Sequence, residues 1–163
     1  MTTKEIVKNN FSKYAHTYDD YSDVQDECAA ELIGMAGNRN FTRILDIGCG
    51  TGNYTGLLRK TFPEARIIAI DVSEEMLEIA ARKLLGKNIE FILCDAEDAN
   101  FRGGFDLVTS NAGFQWFDNM GKTVAAYGDK ITKDGMMLFS IFGPETFTEL
   151  GRSLKILLGK ETP

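Results

Sequence analysis

Eight residues in the first third of the chain, Leu45-Asp46-Ile47-Gly48-Cys49-Gly50-Thr51-Gly52, close an apolar run and open a helical one. Glycines at alternate positions let a backbone turn sharply and let a ligand reach amide groups with no Cβ in the way. A dinucleotide fingerprint needs its third glycine three residues after the second. Asn53 and Thr55 stand there in the two registers, so that spacing fails. A phosphate loop fails as well, since no Gly-Lys-Ser/Thr occurs. Asp71 lies 71 − 52 = 19 residues past the last glycine, where a carboxylate accepts two hydrogen bonds from a ribose diol and repels a 2′-phosphate. In Cys94-Asp95-Ala96-Glu97 a second acid is placed to accept from an exocyclic adenine amine, with Val72 and Met76 offering apolar faces to the ring. Cys49 has no basic neighbour and reads as a small space-filler rather than a nucleophile.

These residues need a scaffold that brings three turns to one edge. Arg43 to Ile47, Arg66 to Ile70, Ile89 to Leu93 and Phe105 to Thr109 are short, branched or aromatic runs, as strands buried on both faces are. A fifth, Met136 to Phe142, follows the turn Lys133-Asp134-Gly135. Tyr54 to Phe62, Glu74 to Leu85 and Lys122 to Ile131 read as helices between them, with Ser73 as an N-cap and Gly86 as a stop. The alternation predicts an α/β fold, a mostly parallel sheet with helices on both faces, whose strands end in a ligand-binding edge. Ile6 to Tyr21 and Val24 to Gly37 belong before the sheet, and Pro144 to Lys160 reads as an amphipathic helix after it.

The 163 residues are 44% hydrophobic and 26% charged, which fits one domain able to bury a core without disulfides or metal. Lys+Arg 18 against Asp+Glu 24 gives −6, a balance that disfavours nucleic acid and, in bulk, an acidic protein partner. Basic clusters at Arg59-Lys60, Arg82-Lys83 and along Arg152, Lys155 and Lys160 read as solvated helix faces. No apolar run approaches the roughly 18 residues of a membrane span. Three scattered cysteines and a polar start without a signal-peptide pattern predict a reduced, cytoplasmic setting. Neither a metal-ligand cluster nor a catalytic base stands out, and His16, the single histidine, reads as a surface or hinge residue.

The glycine run, Asp71 and Asp95 resemble the cofactor motifs of the class I S-adenosylmethionine-dependent methyltransferases, which have a Rossmann-like fold. Three further stretches, Phe11 to Asp19, Ser110 to Phe117 and Phe139 to Phe147, resemble a narrower family, the malonyl-acyl-carrier-protein O-methyltransferases of biotin synthesis. The likeness runs over nearly the whole chain. It implies S-adenosylmethionine as cofactor, held by Asp46, Gly48, Cys49, Gly50, Gly52, Asp71, Val72, Met76, Asp95, Ala96 and Asn111. It implies methyl esterification of a malonyl carboxylate on acyl carrier protein, with Tyr14, Tyr18, Gln115 and Trp116 forming substrate contacts or a lid. No side chain is assigned as catalytic, because an ionised carboxylate needs no base. The Asn-Ala-x-x-Gln-Trp stretch is also similar to trans-aconitate methyltransferases, which leaves a small free carboxylic acid open as acceptor. A cofactor-binding module without turnover is the third reading.

The resemblance divides the chain into a helical lid region over 1–40, a cofactor-binding sheet over 41–142 and a helix over 143–163. Members of the family continue through two further strands, so the chain reads as C-terminally truncated, with the flank of its fifth strand exposed. The expectation is a protein that binds cofactor, turns over poorly and pairs into a homodimer or aggregates.

Overall fold

A computed structural model describes residues 3–143 together with Thr146 and Thr148. Its elements in chain order are α1 (Thr3–Tyr14), a 3-10 helix (Ala15–Tyr21), α2 (Asp23–Ala36), β1 (Arg43–Ile47), α3 (Asn53–Thr61), β2 (Arg66–Asp71), α4 (Glu74–Lys83), β3 (Ile89–Leu93), β4 (Phe105–Asn111), a short 3-10 turn (Phe114–Trp116), α5 (Met120–Gly128) and β5 (Ile131–Ser140). Among the described residues the five strands form one sheet in the order β3-β2-β1-β4-β5, every pair parallel.

Period-two alternation distributes the strand residues between two cores. Ile44, Ile67 and Leu107 pack beneath α2 and α3 with Leu32, Leu58 and Phe62. Leu45, Ile68 and Val108, each one residue on, pack on the other face with Phe105, Phe114 and Tyr127. The central strands β1, β2 and β4 are thus the buried apolar runs that parallel pairing under two helical layers requires. Chain order reverses between β1 and β4, which opens a crevice at their carboxyl ends.

α4 begins as its sequence indicates: Ser73 accepts from the Met76 amide at 3.3 Å and Glu74 and Glu75 fill the first turn. It ends at Lys83, with Leu84 as its C-cap, before the expected Leu85, and Gly86 at φ +74° follows in the turn. Where the helix before β5 ends is different. The sequence places Ile131 in a helix and starts the strand at Met136, whereas α5 stops at Gly128 and β5 already pairs Ile131 with Phe105. From Ile131 to Met136 the strand advances 136 − 131 = 5 residues while its partner advances 107 − 105 = 2. Lys133-Asp134-Gly135 is therefore a wide bulge inside β5, and Gly135 is required there because a Cβ would lie 2.5 Å from Ile131 Cγ2. The helix expected over Pro144 to Lys160 lies outside the described residues, apart from Thr146 and Thr148. None of the described helices is long and apolar enough to cross a membrane.

Candidate functional site

The floor of the crevice is the loop after β1. Gly48 and Cys49 both donate their amides to the Ile70 carbonyl, at 2.8 and 3.0 Å, which straps the loop to β2. Gly48 (φ +70°) and Gly50 (φ +54°) occupy left-handed backbone and line the cleft. The Gly50 amide donates to Asp71 Oδ2 at 2.9 Å, and the Ser73 amide to Asp71 Oδ1 at 2.9 Å. One carboxylate thus fixes both turns, and each of its oxygens keeps a second acceptor site. Burial pushes the Asp71 carboxyl up, against the backbone amides that pull it down.

The cleft holds about 750 Å³ of space, part of it open to solvent. Asp71, Val72 and Met76 line it from the end of β2 and the start of α4; Cys94, Asp95 and Ala96 line it from beyond β3. Asn111, Gly113, Trp116 and Phe117 form the wall after β4. Asn111 is held at both ends: its Nδ2 donates to the Gln25 carbonyl at 2.8 Å and its Oδ1 accepts from Ser140 Oγ at 2.7 Å. Tyr18 comes down from the 3-10 helix, its phenol pushed up by burial and so neutral at pH 7. A smaller recess continues from this end between Tyr18, Ser22, Gln25, Asn53 and Tyr54.

Five residues expected at the site stand elsewhere. Asp46 is wholly buried beneath the glycine loop, where Oδ2 accepts from Thr55 Oγ1 at 2.6 Å and Oδ1 has no partner. Burial, and then the charge of Asp71, push its carboxyl up to about 7. Gly52 (φ +85°) faces α4, and a Cβ there would lie 3.0 Å from the Ala80 Cβ, so its reason is helix packing. Cys49 is buried against Ala69 and Leu77 and reaches only the smaller recess. Gln115 turns back to donate to the Ala112 carbonyl at 2.7 Å, satisfying its own loop. Tyr14 is 55% exposed at the end of α1 with the Lys13 ammonium over its ring, because its helical position faces away from the cleft. His16 is exposed and outside the cleft.

The sequence predicts a lid over 1–40 but assigns a site role to none of the four residues that α1 presents to the cleft. α1 presents Lys4, Val7, Lys8 and Phe11 to the cleft. Phe11 packs edge-on against Trp116, with centroids 5.6 Å apart, and against Tyr18 at 6.1 Å. The spacing 4, 7, 8, 11 is one helical face, so the signal was present; its interpretation as a cleft face rather than a core face needed the sheet.

A family model described as a methyltransferase domain matches residues 44–135, more than half the chain. The chain is 40% identical over 153 residues to a malonyl-acyl-carrier-protein O-methyltransferase of Priestia megaterium, covering 92% of this chain and 56% of that protein. It is 43% identical over 152 residues to the protein of the same name from Acetivibrio thermocellus, covering 92% and 54%. The chain therefore spans about half the length of these curated relatives. Among solved structures, an S-adenosylmethionine-dependent methyltransferase from Clostridium acetobutylicum superposes with TM-score 0.68 at 27% identity over 85% of this chain and 60% of that one. The plantazolicin methyltransferase BpumL in complex with SAH superposes at 0.71 and 22% identity, over 90% and 57%, a likeness of fold.

Proposed function

The chain belongs to the methyltransferase-domain family, and on that premise we propose that its cleft binds S-adenosylmethionine and that the whole protein methylates the free carboxylate of a malonyl group carried on acyl carrier protein. The observation that carries this reading is the convergence of Asp71 and Asp95, from the ends of two neighbouring strands, on one apolar-walled cleft floored by Gly48 and Gly50. Asp71 has acceptor capacity left for a ribose diol. Asp95 lines the same cleft and is the proposed acceptor for an adenine amine beside its contacts to Lys4 and the Glu97 amide, with Val72, Met76, Ala96 and Phe117 as apolar surface for the ring. Gly48 and Gly50 leave the floor free of side chains, so an amino-acid tail fits against the loop. The resemblance to relatives of that name supports the malonyl acceptor.

When bound, such a cofactor supplies a methyl group on a positively charged sulfur, which leaves as a neutral thioether when a carboxylate oxygen attacks in line. The protein's task is alignment and exclusion of water. Phe11, Tyr18 and Trp116 form an aromatic cluster over the cleft, and aromatic faces favour a sulfonium. Lys8, at the mouth, places a positive charge beside an anionic acceptor. A malonyl carboxylate, with a pKa of about 4, arrives ionised, so no side chain needs to remove a proton.

Calorimetric titration with S-adenosylhomocysteine tests the reading. Saturable binding is expected, with no comparable affinity for NADH. Binding of NADH alone, or no binding of the homocysteine compound at millimolar concentration, would overturn it.

A further inference from the structure

α1 covers the cleft without being anchored in the core. From Lys4 to Tyr14 none of its side chains is buried, and Ile6 is 46% exposed. A 12-residue helix has little stability of its own, so what holds it down is its attachments. Phe11 packs on Trp116 and Tyr18, and Ser12 Oγ lies 2.9 Å from Ser73 Oγ. A further attachment is charged. Lys4 Nζ stands 2.5 Å from Asp95 Oδ2 and 2.6 Å from Glu97 Oε2, with side-chain exposures of 21%, 26% and 12% for the three groups.

Glu97 does more than pair with Lys4. Its Oε2 also accepts from the Asp118 amide at 3.0 Å and its Oε1 from the Asn119 amide at 2.7 Å. Those amides directly follow Trp116 and Phe117, so a single carboxylate joins the first turn of α1 to the opposite wall of the cleft. Burial alone would pull the Lys4 pKa down, yet the two carboxylates hold it raised. Burial likewise pushes Glu97 up, and Lys4 with the two amides holds it lowered. Glu97 itself does not line the cleft.

We infer that Lys4 is a positioning residue: the Lys4, Asp95 and Glu97 cluster is the catch that holds α1 over the cleft and sets how long a bound ligand stays beneath it. Val7 and Phe11 are carried by the same helix, so releasing the catch lifts the apolar roof with it. The second half of the inference, ligand residence, rests on the cleft being an S-adenosylmethionine site; the first half does not.

Two measurements keep them apart. In the ligand-free full chain, amide exchange over residues 5–14 is expected to quicken roughly five- to tenfold in Lys4→Met and in Glu97→Gln, the effect of losing a charge-assisted contact. β1 and α4 should be unchanged, and Lys4→Arg should stay near the wild type. Unchanged exchange over α1 overturns the catch. With S-adenosylhomocysteine bound, stopped-flow release is expected to quicken by a similar factor in both variants and to recover in Lys4→Arg. Faster release in Lys4→Met with Glu97→Gln like the wild type overturns the catch in favour of direct contact between Lys4 and ligand. A wild-type chain that binds no S-adenosylhomocysteine overturns the proposed function, and the exchange measurement then decides the catch alone.

Discussion

The floor and the roof of the cleft are held by different kinds of force. On the floor, backbone amides of Gly48 and Cys49 reach the Ile70 carbonyl, and Asp71 grips two further amides, all set on strands whose side chains are buried. Above it, α1 and the 3-10 helix after it attach by side-chain contacts across long stretches of chain. Lys4 meets Asp95 and Glu97, Ser12 meets Ser73, and Asp19 meets Thr51 at 2.5 Å and Lys83 at 2.6 Å. The contacts to Asp95, Glu97, Ser73 and Thr51 end within two residues of a cleft-lining residue, while Lys83 lies farther along α4. A floor made of ladder bonds opens only when the sheet does, whereas a roof on polar catches can open by itself. A site that must admit a ligand and then exclude water has use for both.

Changes to the floor should therefore unfold the protein, and changes to the roof should alter ligand kinetics. The largest expected effect is Gly52→Val, which forces left-handed backbone on a branched residue and drives a Cβ against Ala80; up to about 6 kcal/mol of stability should be lost. Urea unfolding measures it, and a loss below about 1 kcal/mol would mean that the α3 to α4 contact yields easily.

Next is the pH dependence set by Asp46. Folded, it keeps its proton to about pH 7; unfolded, it releases it near its ordinary value of 3.8. The stability it confers is full below the unfolded value and drains away as pH rises to about 7, by up to about 4 kcal/mol. Asp46→Asn should flatten that part of the stability profile. A wild-type profile already flat from pH 4 to 7 would show the carboxylate to be ionised in the fold.

Asp71→Ala, a floor change that also frees the Gly50 and Ser73 amides and so lowers stability, should weaken S-adenosylhomocysteine binding by about 1.5 to 3 kcal/mol in calorimetry, through loss of charge-assisted acceptors. The smallest effect belongs to the roof. Lys83→Met breaks a pair whose side chains are 33% and 41% exposed, so roughly 0.5 kcal/mol of stability is at stake after solvent screening. A loss as large as that of Gly52→Val would erase the distinction between floor and roof.

β1 and β3 have the bounds their apolar runs indicate. β1 is buried as such a run indicates, whereas β3, expected to be buried on both faces, is the sheet's edge strand and has no buried residue. β5 starts earlier than its apolar run indicates: Lys133-Asp134-Gly135 has turn composition, and only the pairing of the flanking Ile131 and Met136 with Phe105 and Leu107 makes it a bulge within a strand. At the site, Gly48, Gly50, Asp71, Val72, Met76, Asp95, Ala96, Asn111, Tyr18 and Trp116 stand around one cleft, while Asp46, Gly52, Cys49, Gln115 and Tyr14 are drawn off by a threonine, a helix, a small core, a carbonyl and solvent.

By itself the sequence determined the α/β alternation, the turn that needs glycine and the acids at the strand ends, because these are local properties of period, φ and position along a strand. Tertiary structure alone decided which face of α1 covers the cleft, that Lys4 meets carboxylates more than 90 residues away, and that Glu97 serves both walls. No local rule encodes an ion pair between segments that only the sheet brings together.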